Sequence, residues 1–128
     1  MAGSTKPSNN GAIHTFTLDP TTQLWEHGPE IQGGAEDHLG RTLSIYGDTL
    51  VSGGYEYNSN DGRAYVYKMV SGTWTLVQTL SPVVPVANAK FGWSVGIYSD
   101  MIVVGAPFGD SSHQGDAFVY RQNVTDGT

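Results

Sequence analysis

Along most of this chain polar and apolar residues alternate with a period of two, interrupted by short clusters of Gly, Asn, Asp and Ser. That spacing places alternate side chains on opposite faces of a strand, so the predicted elements are β-strands joined by tight turns. Residues 63–69 set Ala64 and Val66 on one face against Tyr65 and Tyr67 on the other, and residues 73–80 set Trp74, Leu76 and Val77 against Thr75 and Gln78. Residues 49–53 and 101–105 are short apolar runs, the pattern of a strand covered on both faces. Gly47-Asp48 and Ser99-Asp100 read as two-residue hairpin turns, with Asp suited to local backbone bonds and left-handed conformations. Residues 55–61 and 108–114 read as polar loops. No segment pairs a helix cap with a 3.6-residue apolar period, so the expected class is all-β.

The pattern repeats. Residues 39–54 (LGRTLSIYGDTLVSGG) lie without a gap over 91–106 (FGWSVGIYSDMIVVGA) at an offset of 52, matching at Gly40/Gly92, Ile45/Ile97, Tyr46/Tyr98, Asp48/Asp100, Val51/Val103 and Gly53/Gly105. Further on, 62–67 lies over 115–120, and an earlier copy starts at Gly11. Each period holds four strands, predicted at 39–46, 49–53, 63–69 and 73–80 in the middle copy and at 91–98, 101–105 and 116–122 in the last. Two more are predicted near 11–18 and 23–31. A four-stranded period near 50 residues is that of β-propeller blades. Residues 1–32 then carry the last two strands of one blade, 33–80 a complete blade and 81–128 the first three strands of another, about two and a half blades of a larger ring or array.

Phe91-Gly92 followed by Gly105-Ala106-Pro107 resembles the signature of the FG-GAP repeat family, and the Gly-x-Ala-aromatic-Val-Tyr strands and Gly72-Thr73-Trp74-Thr75 resemble its hyalin-like members. The resemblance is weaker in the first copy, where Leu39-Gly40 and Gly53-Gly54-Tyr55 replace the signature. It implies propeller blades of the kind found in integrin α-chains and secreted or cell-surface proteins. Because Asp126-Gly127-Thr128 aligns with the turn Ser71-Gly72-Thr73, the chain is expected to be a piece of a longer array completed by further blades in cis. Identical copies closing a ring are the alternative.

Composition narrows the partners. Twelve acidic against six basic side chains give a formal charge of −6, and the basic residues are scattered singly, so no phosphate backbone is expected as ligand. No long apolar run suits membrane insertion. The absence of Cys removes disulfides, thiolate metal sites and thiol nucleophiles.

Gly92-Trp93-Ser94-Val95-Gly96 fits the spacing of a nucleophile elbow, but it falls within a strand and its counterpart carries Thr42 at the middle place, so no catalytic residue is expected and the chain reads as a non-enzyme. Integrin-type blades carry Asp-rich calcium loops between their first two strands; Gly47-Asp48 and Ser99-Asp100 are too short to supply six or more oxygens. No cofactor is expected. The lesser alternative is calcium on Asp110, Ser112 and Gln114, a calcium-loop spacing with a single carboxylate. His14, His27, His38 and His113 show no close spacing typical of zinc ligands. Recurring aromatics, Trp25, Tyr65, Tyr67, Trp74, Phe91, Phe118 and Tyr120, read as core. Trp93 departs from the repeat, because its counterpart is Arg41, and so hints at a surface contact. The candidate binding residues are Tyr55, Tyr57, Asn58, Asp61, Trp93, Phe108, Asp110 and His113, on a non-catalytic module expected to bind protein or glycan. An extracellular enzyme with its active groups in other blades is the alternative.

Overall fold

The computed structural model describes residues 2–4, 10–34, 37–108 and 114–122. They form three antiparallel sheets and are all-β apart from one short turn with left-handed residues. The first sheet contains β1 (Ala2–Ser4), β2 (Ala12–Leu18) and β3 (Trp25–Gln32). The second contains β4 (Leu43–Tyr46), β5 (Thr49–Gly54), β6 (Arg63–Val70) and β7 (Thr73–Leu80), with the turn α1 (Tyr57–Asn60) between β5 and β6. The third contains β8 (Ser94–Tyr98), β9 (Met101–Ala106) and β10 (Asp116–Arg121). Within each of the last two sheets the strands lie in chain order, each hairpin-paired with the next.

Two results differ from the pattern-based expectation. Ala2–Ser4 adds a strand, with Gly3 opposite Ile13. The first strands of the two repeat copies start late, at Leu43 and Ser94, because the residues before them do other work. Leu39 and Phe91 leave their own sheets to form parallel bridges with Gly11 and Gly62 of the preceding sheet, and Gly40 and Gly92, at φ of 95° and 92°, turn the chain back into its own strand. Each bridge carries a bond of 3.0 Å, from Leu39 N–H to the Asn10 carbonyl and from Phe91 N–H to the Asp61 carbonyl. The approach is tight enough to demand glycine. A Cβ on Gly62, already at φ +84°, would lie 2.1 Å from the Phe91 carbonyl oxygen.

The three sheets stack face to face with the four-stranded one in the middle. On one side of it Leu50, Tyr65 and Tyr67 pack with Ile13 and Leu39, flanked by Ile31, Leu43 and Trp74. On the other, Val51, Ala64, Val66 and Leu80 pack with Ala89, Phe91, Val104 and Ala106. The two faces of β6 thus enter two different cores, as the alternation of Ala64 and Val66 with Tyr65 and Tyr67 requires, and β5 is covered on both sides. Leu39 and Phe91, both fully buried, are the plugs that each connecting segment drives between sheets. Burial of such a side chain contributes about 1.5–3 kcal/mol, so these two contacts are large terms in holding the stack together. Trp25 does not follow the core reading: it is 66% exposed at the start of β3, the edge strand of its sheet.

The hairpin turns also repeat. The left-handed residues are Gly47 and Ser99 rather than the Asp that follows, and the carbonyls of Asp48 and Asp100 accept from Met69 and Gln122 N–H, anchoring the third strand of each copy. Along the length of the first strands Ser44 Oγ accepts from Ile97 N–H at 3.0 Å, and Thr42 Oγ1 accepts from Val95 N–H at 3.2 Å. The first strands of the second and third sheets are therefore stitched directly to each other.

Candidate functional site

At the end of the sheets opposite the two-residue hairpin turns, two repeat-equivalent pairs of residues converge with two loop aromatics. His38 and Lys90 precede the two bridging plugs, both in left-handed conformation at φ of 51° and 55°. Arg41 and Trp93 follow the two turning glycines, and Tyr55 and Phe108 follow the second strands. The backbone scaffold repeats at His38/Lys90 and at Arg41/Trp93 while the side-chain chemistry has diverged at both; Tyr55 and Phe108 are loop aromatics 53 residues apart, with Pro107 standing opposite Tyr55 in the 52-residue alignment.

Trp93 is the centre of the cluster. Its ring packs edge-to-face against Tyr55, with centroids 5.1 Å apart, and against Phe108 at 5.8 Å. The Arg41 guanidinium lies 3.7 Å from the Trp93 ring centre and 4.8 Å from that of Tyr55. Lys90 Nζ lies 5.2 Å from the Trp93 centre, 5.4 Å from Phe108 and 5.6 Å from Tyr55. Cations at these distances are attracted by the ring quadrupoles, each contact contributing about 0.5–1 kcal/mol where solvent reaches it. Behind the rings, His38 Nδ1 lies 2.9 Å from Glu56 Oε2 and 3.1 Å from the Tyr55 hydroxyl. Burial, followed by the neighbouring Glu56 carboxylate, raises the Tyr55 pKa above its ordinary value, and Arg41 opposes that shift. Among the described residues no carboxylate lies within ion-pair distance of Arg41 or Lys90. The result is a partly exposed aromatic floor bearing two cations and one engaged acid.

The other candidates fall in different places. Tyr57 lies under the Arg63 guanidinium, 3.2 Å from its ring centre. Asn58 heads a left-handed run with Ser59 and Asn60 and donates from Nδ2 to Asp61 Oδ2 at 2.7 Å. Asp61 Oδ1 accepts from Asn88 N–H at 3.2 Å, so this carboxylate braces the loop against the connector to the third sheet. Tyr57, Asn58 and Asp61 are thus held by partners within the chain. Asp110, Ser112 and His113 lie outside the described residues, and Gln114 is exposed ahead of β10. Ser94 opens β8 as a strand residue, without the strand-turn-helix of a nucleophile elbow.

Two arrangements escaped the sequence pattern. Arg41, Lys90 and His38 look like isolated charges along the chain, yet the 52-residue offset that aligns the copies also aligns His38 with Lys90 and was the available signal. His14 and His27, far apart in sequence, meet across β2 and β3 with Nδ1 and Nε2 3.3 Å apart, and Glu30 lies 3.7 Å from His14. Among the described residues no three His, Cys, Asp or Glu side chains are grouped so as to hold a metal ion.

A separate cleft of about 680 Å³ opens between the second and third sheets at the hairpin-turn end, lined by Val66, Lys68, Ile97, Asp100, Tyr120 and Arg121 among others. There Asp100 lies 3.7 Å from Arg121, so one of its charges is already paired. Burial raises the Tyr120 pKa.

Compared with known protein families, residues 74–120 match the FG-GAP repeat. The match runs from β7 through the third sheet and takes in Phe91-Gly92 and Gly105-Ala106-Pro107. No curated protein matches the chain.

Proposed function

We propose that the FG-GAP repeat this chain carries serves a non-catalytic binding module, a set of β-propeller blades in a secreted or cell-surface protein that contacts a protein or glycan through one rim. The observation that carries this reading is the divergence of His38/Lys90 and Arg41/Trp93, beside the loop aromatics Tyr55 and Phe108, on a scaffold that otherwise repeats. Side chains that serve blade packing stay equivalent between copies, as Leu39 and Phe91 do. Side chains that vary while their backbone stays fixed are those free to be fitted to a ligand. The face-to-face stacking of the sheets and the repeated glycine bridges between them support a propeller-blade arrangement. The family's usual extracellular setting supports the localisation. A screen of the purified chain against immobilised glycans and extracellular-matrix proteins tests the reading. Saturable binding that Trp93→Ala removes is the expected result, and silence across both panels overturns it.

A specific observation favours additional blades, either in cis or from identical copies. Val119 is 66% and Val103 43% exposed, whereas their repeat counterparts Val66 and Val51 are buried beneath the next sheet. The outer face of the third sheet is therefore patterned to receive a further sheet.

A further inference from the structure

Of the basic side chains in this acidic chain, two converge on the same aromatic floor. The Arg41 guanidinium lies 3.7 Å from the Trp93 ring centre, and its planar fork of N–H donors suits a carboxylate. Lys90 sits over the same ring and beside Phe108, which is 48% exposed. Among the described residues, the acid beside the floor, Glu56, is held by His38 at 2.9 Å. Two cations without an acid partner among the described residues, set against exposed ring surface, match a ligand that combines a carboxylate with a flat apolar patch. A pyranose bearing a carboxylate offers both: the acid for the cations and the C–H face of the ring for the aromatics. A flexible acidic peptide offers the carboxylate without the rigid apolar face.

We propose that this rim cluster binds an acidic glycan through its carboxylated pyranose units, with Arg41 and Lys90 holding the carboxylate, Phe108 stacking against the sugar ring, and Trp93 positioning Arg41. The inference rests on the binding-module reading and names the ligand chemistry of its site.

The test uses the whole chain and three probes: oligogalacturonate, a neutral galactose oligomer of the same length, and polyglutamate. Binding is followed by calorimetry and by tryptophan fluorescence. Oligogalacturonate is expected to bind most tightly and to weaken as salt rises. Arg41→Ala and Lys90→Gln are each expected to lower its affinity by about tenfold or more, the loss that goes with a charged hydrogen bond. Lys68→Gln, in the cleft at the other end of the sheets, is expected to leave it unchanged. Trp93→Ala keeps both charges and is expected to lower affinity by freeing Arg41. If Arg41→Ala fails to fold, Arg41→Lys, which keeps the charge and loses the fork, is expected to show a partial loss. Absence of oligogalacturonate binding, equal binding of the neutral oligomer, or indifference to both cation variants overturns the glycan site. Tighter binding of polyglutamate overturns it in favour of an acidic peptide. A positive result in the glycan and matrix screen alongside any of these keeps the module reading and discards only the ligand assignment, whereas a silent screen discards both.

Discussion

Two glycines separate backbone conformation from crowding. Gly62 and Gly72 have similar left-handed φ of 84° and 80°, but a Cβ on Gly62 meets the Phe91 backbone while one on Gly72 meets nothing within 4 Å. Gly72→Ala is expected to cost about 1–2 kcal/mol, the left-handed penalty alone. Gly62→Ala is expected to cost well beyond that, since the bridge to Phe91 must open, and urea unfolding of the two variants measures the difference. Tyr67 gives a pH prediction. Burial, followed by the Asp37 charge, raises its pKa from 10.0 to about 12. The unfolded chain therefore ionises this phenol first, so the stabilisation is fully present below pH 10 and is lost as pH rises toward 12. The loss is roughly 2–3 kcal/mol. Tyr65 is shifted in the same direction, by burial and by its hydrogen bond to Asp37, and steepens the fall. Urea midpoints measured from neutral to strongly alkaline pH should decline across that window, and Tyr67→Phe should make the decline shallower.

At the scale of the element, β5 and β6 carry the stack because each contributes to two cores. Their amides are expected to show the slowest hydrogen exchange, with β3, whose side chains are largely exposed, among the fastest. Val66 and Val119 are the same repeat position in two settings, 6% and 66% exposed. Val66→Ala is expected to cost about 2 kcal/mol through lost burial and a residual cavity. Val119→Ala in an isolated chain should change stability by no more than about 0.5 kcal/mol. Strand identity was legible here from alternation alone: β6 and β7 fall where Ala64, Val66, Tyr65 and Tyr67 and then Trp74 to Leu80 place them. The late starts of β4 and β8 were not legible, because Leu39 and Phe91 look like ordinary strand residues until a neighbouring sheet offers Gly11 and Gly62 to pair with.

At the scale of the molecule, the exposed face formed by Val103 and Val119 links stability to assembly. If identical copies dock there, light scattering should show a discrete oligomer, and Val119→Ala should shift it toward monomer. If further blades in cis cover that face in a longer protein, this chain alone should be monomeric or polydisperse. The rim cluster belongs to the same scale, since it exists only where the second and third sheets meet. Of its members, Tyr55, Trp93 and Phe108 were legible as aromatics in or beside polar loops, and Trp93 also as a break in the repeat. Arg41, Lys90 and His38 were legible only as partners in the repeat alignment, because charges isolated along a chain show no convergence until folding gathers them.

The sequence by itself determined the all-β class, the 52-residue period and the faces of β6, since alternation and repetition are local properties that any folded form must respect. Only the tertiary structure decided that Leu39 and Phe91 bridge between sheets, that Asp61 braces its loop against the connector at Asn88, and that His14 meets His27. It also decided that Arg41 and Lys90 share one ring with Trp93. Each of these is a contact between segments distant along the chain, fixed by how one sheet stacks on the next, and no periodicity within a strand encodes it.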